Sequence, residues 1–360
     1  MTPAEELPGA VKLRMRNVYY GSFVPGMQDV IAEAVRERLE DAVIIKLLDG
    51  AIVFETGCSY DRLNFFCFNN IFAVIDILDI KPDAGAPLEL HMEKISGKGR
   101  GLPEKALAII SANNNKIRTF RVVCSAENKP ASVNEKLRQD TENFIVRNSA
   151  LKVDRTTPDT EFWFLCRREG FSLFMKRLTR PASNSLRPGE LSPQLAWLLC
   201  RVASLRPEET VMDPFCGYGA IPEAALKHYP IKKFFALDMD RRCAEITRSR
   251  RALGSERCEI RRADVFLEAG TLPQGGVDAI VTDPPWGIYR ETDIPIEKFY
   301  EKILVLFSAV LTKNGRAVVL TGAGDALLTA MGETGIFKTD RMFPVLVSGR
   351  KAMVFHLERR

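Results

Sequence analysis

The sequence has 360 residues, a formal net charge of +5, 46% hydrophobic residues and 27% charged residues. The length exceeds one typical domain, and the composition is that of a folded globular protein rather than a disordered chain. No stretch has the roughly 18 consecutive apolar residues of a membrane-spanning helix, so we expect no membrane association.

Cysteine and histidine usage limits the kinds of site to expect. The eight cysteines are scattered and form no CxxC pair, which is typical of reduced thiols in a cytoplasmic protein. Histidine occurs only at positions 91, 228 and 356. We therefore expect neither a disulfide framework nor a metal site. We also expect a monomer rather than an oligomer.

The first part of the chain has the patterns of an α+β domain. Apolar residues at helical spacing predict two helices, and apolar runs around Asp49-Gly50 predict a hairpin, because that dipeptide suits a tight turn. In chain order the predicted elements are a strand at 18–20, a helix at 27–39, strands at 42–48 and 51–55, and a helix at 60–78.

The middle of the chain continues with a strand at 118–124, a helix at 133–147 and a hairpin of 161–166 with 171–178. A turn-rich segment at 181–190 indicates a linker. Basic residues crowd this region, and they fit either a solvated linker or a surface that contacts phosphates: Arg167, Arg168, Lys176, Arg177, Arg180 and Arg187.

From about residue 190, strands alternate with helices. This alternation predicts an α/β fold with a doubly wound, mostly parallel sheet. The predicted strands lie at 210–212, 233–237, 259–262, 277–282, 316–320 and 351–357, and the predicted helices at 221–228, 241–253 and 296–311.

Acidic residues end successive strands of this sheet, at Asp213, Asp238, Asp264 and Asp283. Ligands of open α/β sheets bind at the carboxyl ends of the strands, so four acids there predict a ligand with several hydroxyl and amine groups. Asp238 can accept from the ribose hydroxyls of a nucleoside cofactor, although Asp240 competes for that role or caps the next helix.

The first acid opens the motif DPFCGYG at 213–219. Gly217 and Gly219 permit a sharp turn and a close approach of the backbone to a ligand. A dinucleotide-binding loop would have a third glycine where this sequence has Pro222. This difference disfavours a nicotinamide-dependent dehydrogenase.

The fourth acid opens DPPWG at 283–287, the most specific motif of the chain. Two consecutive prolines fix the backbone and leave rigidly aimed carbonyl acceptors. Asp283 and the carbonyl of Pro284 can both accept from one exocyclic NH₂, and the Trp286 indole offers a face for a flipped base. Such an arrangement turns the amine lone pair towards a methyl donor.

These motifs together resemble those of class I amino-methyltransferases. LRPGEL at 186–191 is similar to the segment that leads into the catalytic domain of THUMP-domain RNA methyltransferases. NFFCFNNIFA at 64–73 resembles part of the ferredoxin-like opening domain of that family, and RTFRV at 118–122 resembles part of a THUMP domain. The resemblance covers nearly the whole chain.

The resemblance implies a domain order and a cofactor. A ferredoxin-like domain would occupy 14–82, a THUMP domain 83–180, a linker 181–190, and a Rossmann-like class I methyltransferase domain with a mixed seven-stranded sheet 191–360. The cofactor would be S-adenosylmethionine. By resemblance, Asp238 would hold its ribose, Asp264 its adenine, and the methionine side and its surroundings would be lined by Asp213, Phe215, Gly217, Gly219, Arg187 and Pro188.

The resemblance also implies the substrate. Asp283, Pro284, Pro285 and Trp286 would hold the target amine and base of a guanine in tRNA, methylated at N2 by direct in-line transfer. Basic residues of the N-terminal half would contact the RNA: Lys116, Arg118, Arg121, Arg177 and Arg180.

Two alternatives stay open from the sequence. Because Trp286 stands where tyrosine or phenylalanine is more usual, an rRNA guanine-N2 enzyme or an adenine-N6 enzyme acting on RNA or DNA is the first. The second is a non-catalytic RNA-binding protein that keeps the methyltransferase fold.

Overall fold

Two β-sheets, one in each half of the chain, organise the molecule. The computed structural model describes residues 16–63, 65–80, 86–97, 102–112, 117–179, 186–250, 253–254, 256–287 and 294–360. Every helix in these ranges falls short of the length and hydropathy that a bilayer-spanning segment requires.

The N-terminal sheet has the strand order β2-β3-β1-β4-β9-β8-β5-β6, with β7 also beside β5. Neighbouring strands are antiparallel, except that β5 runs parallel to β7 and β8. The strands are β1 (Asn17–Ser22), β2 (Val43–Leu48), β3 (Ala51–Thr56), β4 (Asn70–Asp79), β5 (Thr119–Ala126), β6 (Lys129–Pro130), β7 (Lys152–Val153), β8 (Thr160–Arg167) and β9 (Phe171–Arg177). The helices are α1 (Gln28–Arg38), α2 (Tyr60–Leu63), α3 (Pro87–Ser96), α4 (Glu104–Ser111) and α5 (Glu135–Arg147).

Strand β4 makes this sheet continuous across the boundary predicted at residue 82. It pairs with β1 on one side and with β9 on the other. The two predicted N-terminal domains therefore share one sheet in which every strand is fixed by its neighbours. The domain limits themselves stay predictions.

The predicted helix at 60–78 is wrong. Helix α2 ends after one turn at Leu63, and β4 occupies most of the remaining segment. Residues 71–75 are all buried, so the strand lacks the alternation of apolar and polar residues. Periodicity does not distinguish such a run from a buried helix. Helices α3 and α4 were not predicted.

The C-terminal sheet has the order β12-β11-β10-β13-β14-β16-β15. The first five strands are parallel, and β16 is antiparallel to both β14 and β15. The strands are β10 (Thr210–Asp213), β11 (Lys233–Asp238), β12 (Cys258–Arg262), β13 (Val277–Thr282), β14 (Leu311–Thr321), β15 (Phe337–Val347) and β16 (Arg350–Arg359). The helices are α6 (Pro193–Val202), α7 (Ala220–His228), α8 (Arg241–Ser249), α9 (Ile296–Val310) and α10 (Gly324–Thr334).

Local sequence fixes where several of these helices begin. Asn134 caps α5 by accepting from the Lys136 amide at 2.9 Å. Ser192 caps α6 by accepting from the Leu195 amide at 3.2 Å, and Pro193 occupies the first helical position. Both arrangements satisfy backbone donors that a helix start otherwise leaves open.

One apolar core joins the two halves of the chain. It contains Met27 and Val30 from the N-terminal half together with Leu199, Phe343 and Val345 from the C-terminal half, all buried. Because a shared core resists separation, the N-terminal half holds a defined position against the C-terminal sheet.

Candidate active site

The glycine loop after β10 has the conformation that its glycines permit. Gly217 and Gly219 have φ angles of +51° and +82°, in the left-handed region that favours glycine. A Cβ at Gly219 would lie 2.8 Å from Cγ2 of Thr247, whereas one at Gly217 would meet open space. Gly219 therefore serves packing, and Gly217 leaves room for a ligand.

Asp213 ends β10 as a fully buried carboxylate. One of its oxygens accepts from the Thr282 hydroxyl at 2.7 Å and from the Phe215 amide at 3.1 Å. The other oxygen, Oδ2, is buried and has no hydrogen-bond partner within the described ranges. Burial, with smaller contributions from nearby Asp283 and Asp238, raises the pKa of Asp213 to about 8.

Asp283 follows β13 and contacts the indole of its own motif. Nε1 of Trp286 donates to Oδ1 of Asp283 at 2.8 Å. Burial raises the pKa of Asp283 to about 7, although the bond from Trp286 lowers it. A Cβ at Gly322 would collide with the six-membered ring of Trp286, so only glycine at 322 permits this position of the indole.

The two prolines of the motif present different carbonyl groups. Tyr300, fully buried, donates from its hydroxyl to the Pro285 carbonyl at 3.4 Å and also bonds Oγ1 of Thr321 at 2.6 Å. The carbonyl of Pro284 receives no donor from the described residues. The hydroxyl of Tyr300 therefore fixes the Pro285 carbonyl.

Asp238 ends β11, Asp264 lies two residues after β12, and both carboxylates accept from backbone amides. Asp238 accepts from the amides of Gly217 and Asp240, each at 2.8 Å. Asp240 in turn caps α8 by accepting two amides of its first turn. Asp264 accepts from the Phe266 amide at 2.9 Å. Of the two roles considered for Asp240, the structure shows helix capping.

An aromatic cluster lies beside these strand ends. The ring of Phe266 is 6.4 Å from that of Phe215 and 5.7 Å from that of Phe299, measured between centroids. Phe299 is buried, whereas Phe215 and Phe266 are half-buried. The cluster provides an apolar wall at the sheet edge where the four acids gather.

Four of the predicted site residues line one cavity at this edge: Asp213, Phe215, Gly217 and Asp283. The cavity also contacts Gly189 and Leu191, which precede α6. Arg187 and Pro188, which were predicted to lie near the cofactor, are both exposed. The guanidinium of Arg187 lies 5.6 Å from the centre of the Tyr218 ring. The segment before α6 thus forms one wall of the cavity.

Arg250 is a structural residue of the site that the sequence did not indicate. It donates to the carbonyl of Tyr218 at 2.5 Å and pairs with Glu190 and Glu223. Glu190 also pairs with Arg187 at 3.2 Å. Arg250 therefore ties the segment before α6 to the glycine loop. No sequence motif predicts this role of Arg250, because its partners are far away in the sequence.

The predicted RNA contacts have different surroundings. Arg118 is exposed, whereas Arg121 and Arg177 both pair with the buried carboxylate of Glu161. The side chain of Arg177 is only 13% exposed. Lys116 and Arg180 lie outside the described residues, as do residues 181–185 of the predicted linker.

The basic cluster in the middle of the chain is neither a solvated linker nor a continuous phosphate surface in the described residues. Arg167 is buried and pairs with Glu169 at 3.1 Å. Lys176 is also buried, and its ammonium donates to the carbonyls of Ile109 and Ala112 at the end of α4. Burial lowers the pKa of Lys176 to about 8. The sequence shows charge but not which side chains the sheet encloses.

One group of side chains in the described residues has ligand atoms close enough to share an ion. These atoms, of Asp340, His356 and Glu358, lie within 4.8 Å of one another on β15 and β16. Glu358 already pairs with Lys338 at 3.0 Å, and Asp340 with His356 at 3.1 Å. The group is separate from the candidate active site, and the expected absence of a metal stays a prediction.

The strand order and the site at the carboxyl ends of β10, β11, β12 and β13 define the Rossmann-like fold of class I methyltransferases. Residues 180–351 match the family model UPF0020, described as the RMKL-like methyltransferase domain. The predicted fold class is thereby confirmed.

Curated relatives match over part of the chain. A tRNA (guanine(6)-N2)-methyltransferase of Thermus thermophilus is 34% identical over 42% of this chain and 45% of its own length. A tRNA (guanine(10)-N2)-dimethyltransferase of Methanothermobacter thermautotrophicus is 34% identical over 36% of this chain and 37% of its own. An rRNA N(6)-adenosine-methyltransferase of Caenorhabditis elegans is 26% identical over 39% of this chain and 64% of its own. The chain thus matches less than half the length of the first two relatives.

Solved structures match over almost the whole chain. TrmN from Thermus thermophilus has a TM-score of 0.74 and 22% identity, covering 96% of this chain and all of TrmN. SMU.472, solved as a complex with SAH, has a TM-score of 0.67 and 13% identity, covering 95% of this chain and 97% of that one. At these identities the likeness shows the fold.

Proposed function

We propose that this protein is an S-adenosylmethionine-dependent methyltransferase that methylates the exocyclic N2 amine of a guanine in tRNA. The observation that carries the proposal is the rigid DPPW turn. Its Asp283, whose pKa is raised, lines the cavity of the glycine loop, and the carbonyl of the adjoining Pro284 has no donor among the described residues. The guanine-N2 activity printed for the tRNA methyltransferase relatives supports the same choice.

The residues around the cavity fit S-adenosylmethionine. The buried Oδ2 of Asp213 lacks a described donor and suits an amine, and Gly217 leaves open space where a side chain would intrude. Asp238 and Asp264, at the next two strand ends, suit hydroxyl and amine groups. When bound, the cofactor supplies an activated methyl group.

The reaction requires the chain to orient one amine rather than to form a covalent intermediate. Asp283 and the Pro284 carbonyl would each accept one N–H of the exocyclic amine, which directs its lone pair away from the ring. The base would stack on Trp286, which Gly322 and the bond to Asp283 hold in place. Positioning of this kind supplies about 7–11 kcal/mol in well-aligned two-substrate reactions.

The N-terminal half would bind the RNA. We propose a ferredoxin-like domain at 14–82 and a THUMP domain at 83–180, followed by a linker at 181–190. Arg118 is the clearest candidate contact among the described residues, since it is exposed, whereas Arg121 and Arg177 share Glu161. RNA contacts of this type depend on phosphates and shape, so binding should weaken steeply with salt.

An adenine-N6 activity is the second candidate. Trp286 is compatible with this activity, because an indole can stack on either purine. The rRNA adenosine methyltransferase relative also supports it. Guanine carries its exocyclic amine at C2 and adenine at C6, so the two bases would reach Asp283 with different edges. Nucleoside analysis of the product by mass spectrometry separates N2-methylguanosine from N6-methyladenosine.

The substitution Asp283→Asn tests the proposed site. Replacing one carboxylate oxygen with an amide removes an acceptor and its charge, so we expect kcat to fall by roughly 100-fold or more, as for other preorganised polar groups. Binding of S-adenosylmethionine and tRNA should stay within about three-fold of wild type, because binding uses many other contacts. Methyl transfer from labelled cofactor to a tRNA transcript measures the effect.

Asp278→Asn is the matched control. Asp278 lies near the start of the same strand, where it accepts from the Thr210 amide at 2.9 Å. This variant should retain near wild-type transfer. Comparable rates for wild type and Asp283→Asn would refute the proposed site.

A further inference from the structure

A second cavity, of about 260 Å³, lies between the N-terminal half and the C-terminal sheet domain. Helix α1, the segment after α2, helix α6 and the end of α7 supply its walls. Helix α7 begins beside the active-site cavity and ends at His228. At 1.5 Å per residue, this nine-residue helix separates the two cavities by roughly 12 Å.

Aromatic rings form much of the wall. The centroids of Phe66 and His228 are 4.0 Å apart with planes tilted by 39°, and Trp197 and Tyr229 also line the cavity. Phe66 is 36% exposed and presents its ring to solvent. Burial and the neighbouring Lys227 lower the pKa of His228, so its imidazole is neutral at neutral pH. The cavity therefore offers flat, uncharged surfaces.

Polar groups accompany these rings. The Tyr229 hydroxyl is buried and has no hydrogen-bond partner in the described part of the chain. Arg201 pairs with Glu37, whose carboxylate also lines the cavity, so the two arginines leave one net positive charge there. Arg38 donates to the Leu63 carbonyl at 3.3 Å. Each guanidinium has five N–H donors, so these bonds leave others for an anion. A ligand that fits combines a planar ring, hydrogen-bonding edges and a negative charge.

We infer that this cavity binds one unpaired nucleotide of the RNA substrate, with its base on Phe66 and its phosphate at Arg38 and Arg201. Single-stranded RNA is recognised by stacking on aromatic side chains and by contacts of arginine with phosphates. A paired base is hidden in its helix and does not reach such a cavity. The inference rests on the proposed function. The distance of roughly 12 Å along α7 lets the same RNA molecule reach both cavities.

The substitution Phe66→Ala tests the inference with little risk to folding, since the ring is partly exposed. Loss of one stacking surface should weaken tRNA binding by about ten-fold. Leu328→Ala on α10 is the control, because Leu328 is 44% exposed and lies outside both cavities. Fluorescence anisotropy of labelled tRNA measures affinity. The affinity for S-adenosylmethionine and kcat at saturating tRNA should not change.

Tryptophan fluorescence gives an independent measurement. A single-stranded RNA tetranucleotide should quench the wild-type emission saturably, because Trp197 lines the same cavity as Phe66. A base on Trp286 at the active site would also quench, so wild type is compared with Trp197→Phe, which should lose the part of the quench that comes from this cavity. An unchanged emission in wild type, or an equal quench in Trp197→Phe, would overturn the inference.

The outcomes separate this inference from the proposed function. If wild type methylates tRNA while Phe66→Ala and Leu328→Ala bind it equally well, the cavity inference fails and the proposed function stands. If wild type methylates no RNA, the proposed function fails. Saturable quenching by guanosine monophosphate that is lost in Trp197→Phe, with undiminished tRNA affinity in Phe66→Ala, would assign the cavity to free nucleotides and overturn the RNA assignment.

Discussion

Two carboxylates at neighbouring strand ends have unusual acidities for the same physical reason. Asp213 is fully buried and Asp283 is half-buried, and partial or complete loss of solvent raises the pKa of each, to about 8 and about 7. Each has one short bond from a fixed donor, Thr282 or Trp286. Neither bond fully offsets the loss of water, which leaves both groups able to change charge near neutral pH.

This acidity predicts a pH dependence of methyl transfer. Asp283 accepts from the target amine best when ionised, so kcat/KM for tRNA should fall about ten-fold for each pH unit below its pKa of about 7. Asp213, with a pKa of about 8, should add a second inflection, so the one near 7 is assigned by its loss in Asp283→Asn. Burial lowers the pKa values of all three histidines, so they do not account for an inflection near 7.

Initial rates between about pH 5.5 and 8 measure this profile. tRNA affinity over the same range is the control, because RNA binding through arginines does not require Asp283. A rate that is constant across the range would contradict the assigned role of Asp283.

At the scale of elements, the active-site cavity is built by segments that are far apart in the sequence. The glycine loop between β10 and α7 forms one wall, and the segment before α6 forms another. Arg250, just after α8, joins them through Tyr218, Glu190 and Glu223. A half-buried arginine can hold both segments, because its guanidinium has five N–H donors and can bond several partners at once.

We predict that Arg250→Gln loosens this connection. Glutamine cannot reach all three partners, so the affinity for S-adenosylmethionine should fall by roughly ten-fold, whereas kcat at saturating cofactor changes little. Isothermal titration measures the affinity. Arg147→Gln, an exposed arginine on α5, is the control and should bind the cofactor like wild type. Equal affinities of the two variants would exclude a role for Arg250 in holding the cavity.

At the scale of the whole molecule, the N-terminal half and the C-terminal sheet are held together by a shared core and by close backbone contact. A Cβ at Gly26 would collide with the carbonyl of Pro344 on β15. Arg341 of the same strand pairs with Glu33 of α1 at 3.1 Å. This tight contact keeps the proposed RNA-binding half and the candidate active site in a fixed relation.

Gly26→Ala should therefore destabilise the whole chain. Gly26 and Gly170 both have positive φ angles, of +90° and +84°, but a Cβ at Gly170 would lie 3.4 Å from its nearest neighbour, the Ile80 carbonyl. Gly170→Ala should cost about 1 kcal/mol for backbone strain alone. Gly26→Ala should cost about 2 kcal/mol more, because it also forces the two halves apart. Denaturant unfolding measures both, and equal losses of stability would contradict the close contact.

The sequence by itself determined the fold class of the C-terminal half and the local motifs of the site. Local patterns depend on neighbouring residues, so they can be recognised without a structure. They are the alternation of strands and helices, the glycine loop and the double proline. Asp213, Phe215, Gly217 and Asp283 come together as expected because carboxyl ends of parallel strands share one edge of the sheet. The cofactor and RNA roles of these residues stay predictions.

Only the tertiary structure decided which charges are enclosed and which distant residues meet. Lys176 and Arg177 look solvent-exposed in the sequence, yet the N-terminal sheet encloses them. Strand β4 reads as a helix because burial on both faces removes its alternation. Arg250 at the glycine loop and the aromatic cavity beside α1 and α7 depend on contacts between residues far apart in sequence. Such contacts arise from packing, which no local pattern encodes.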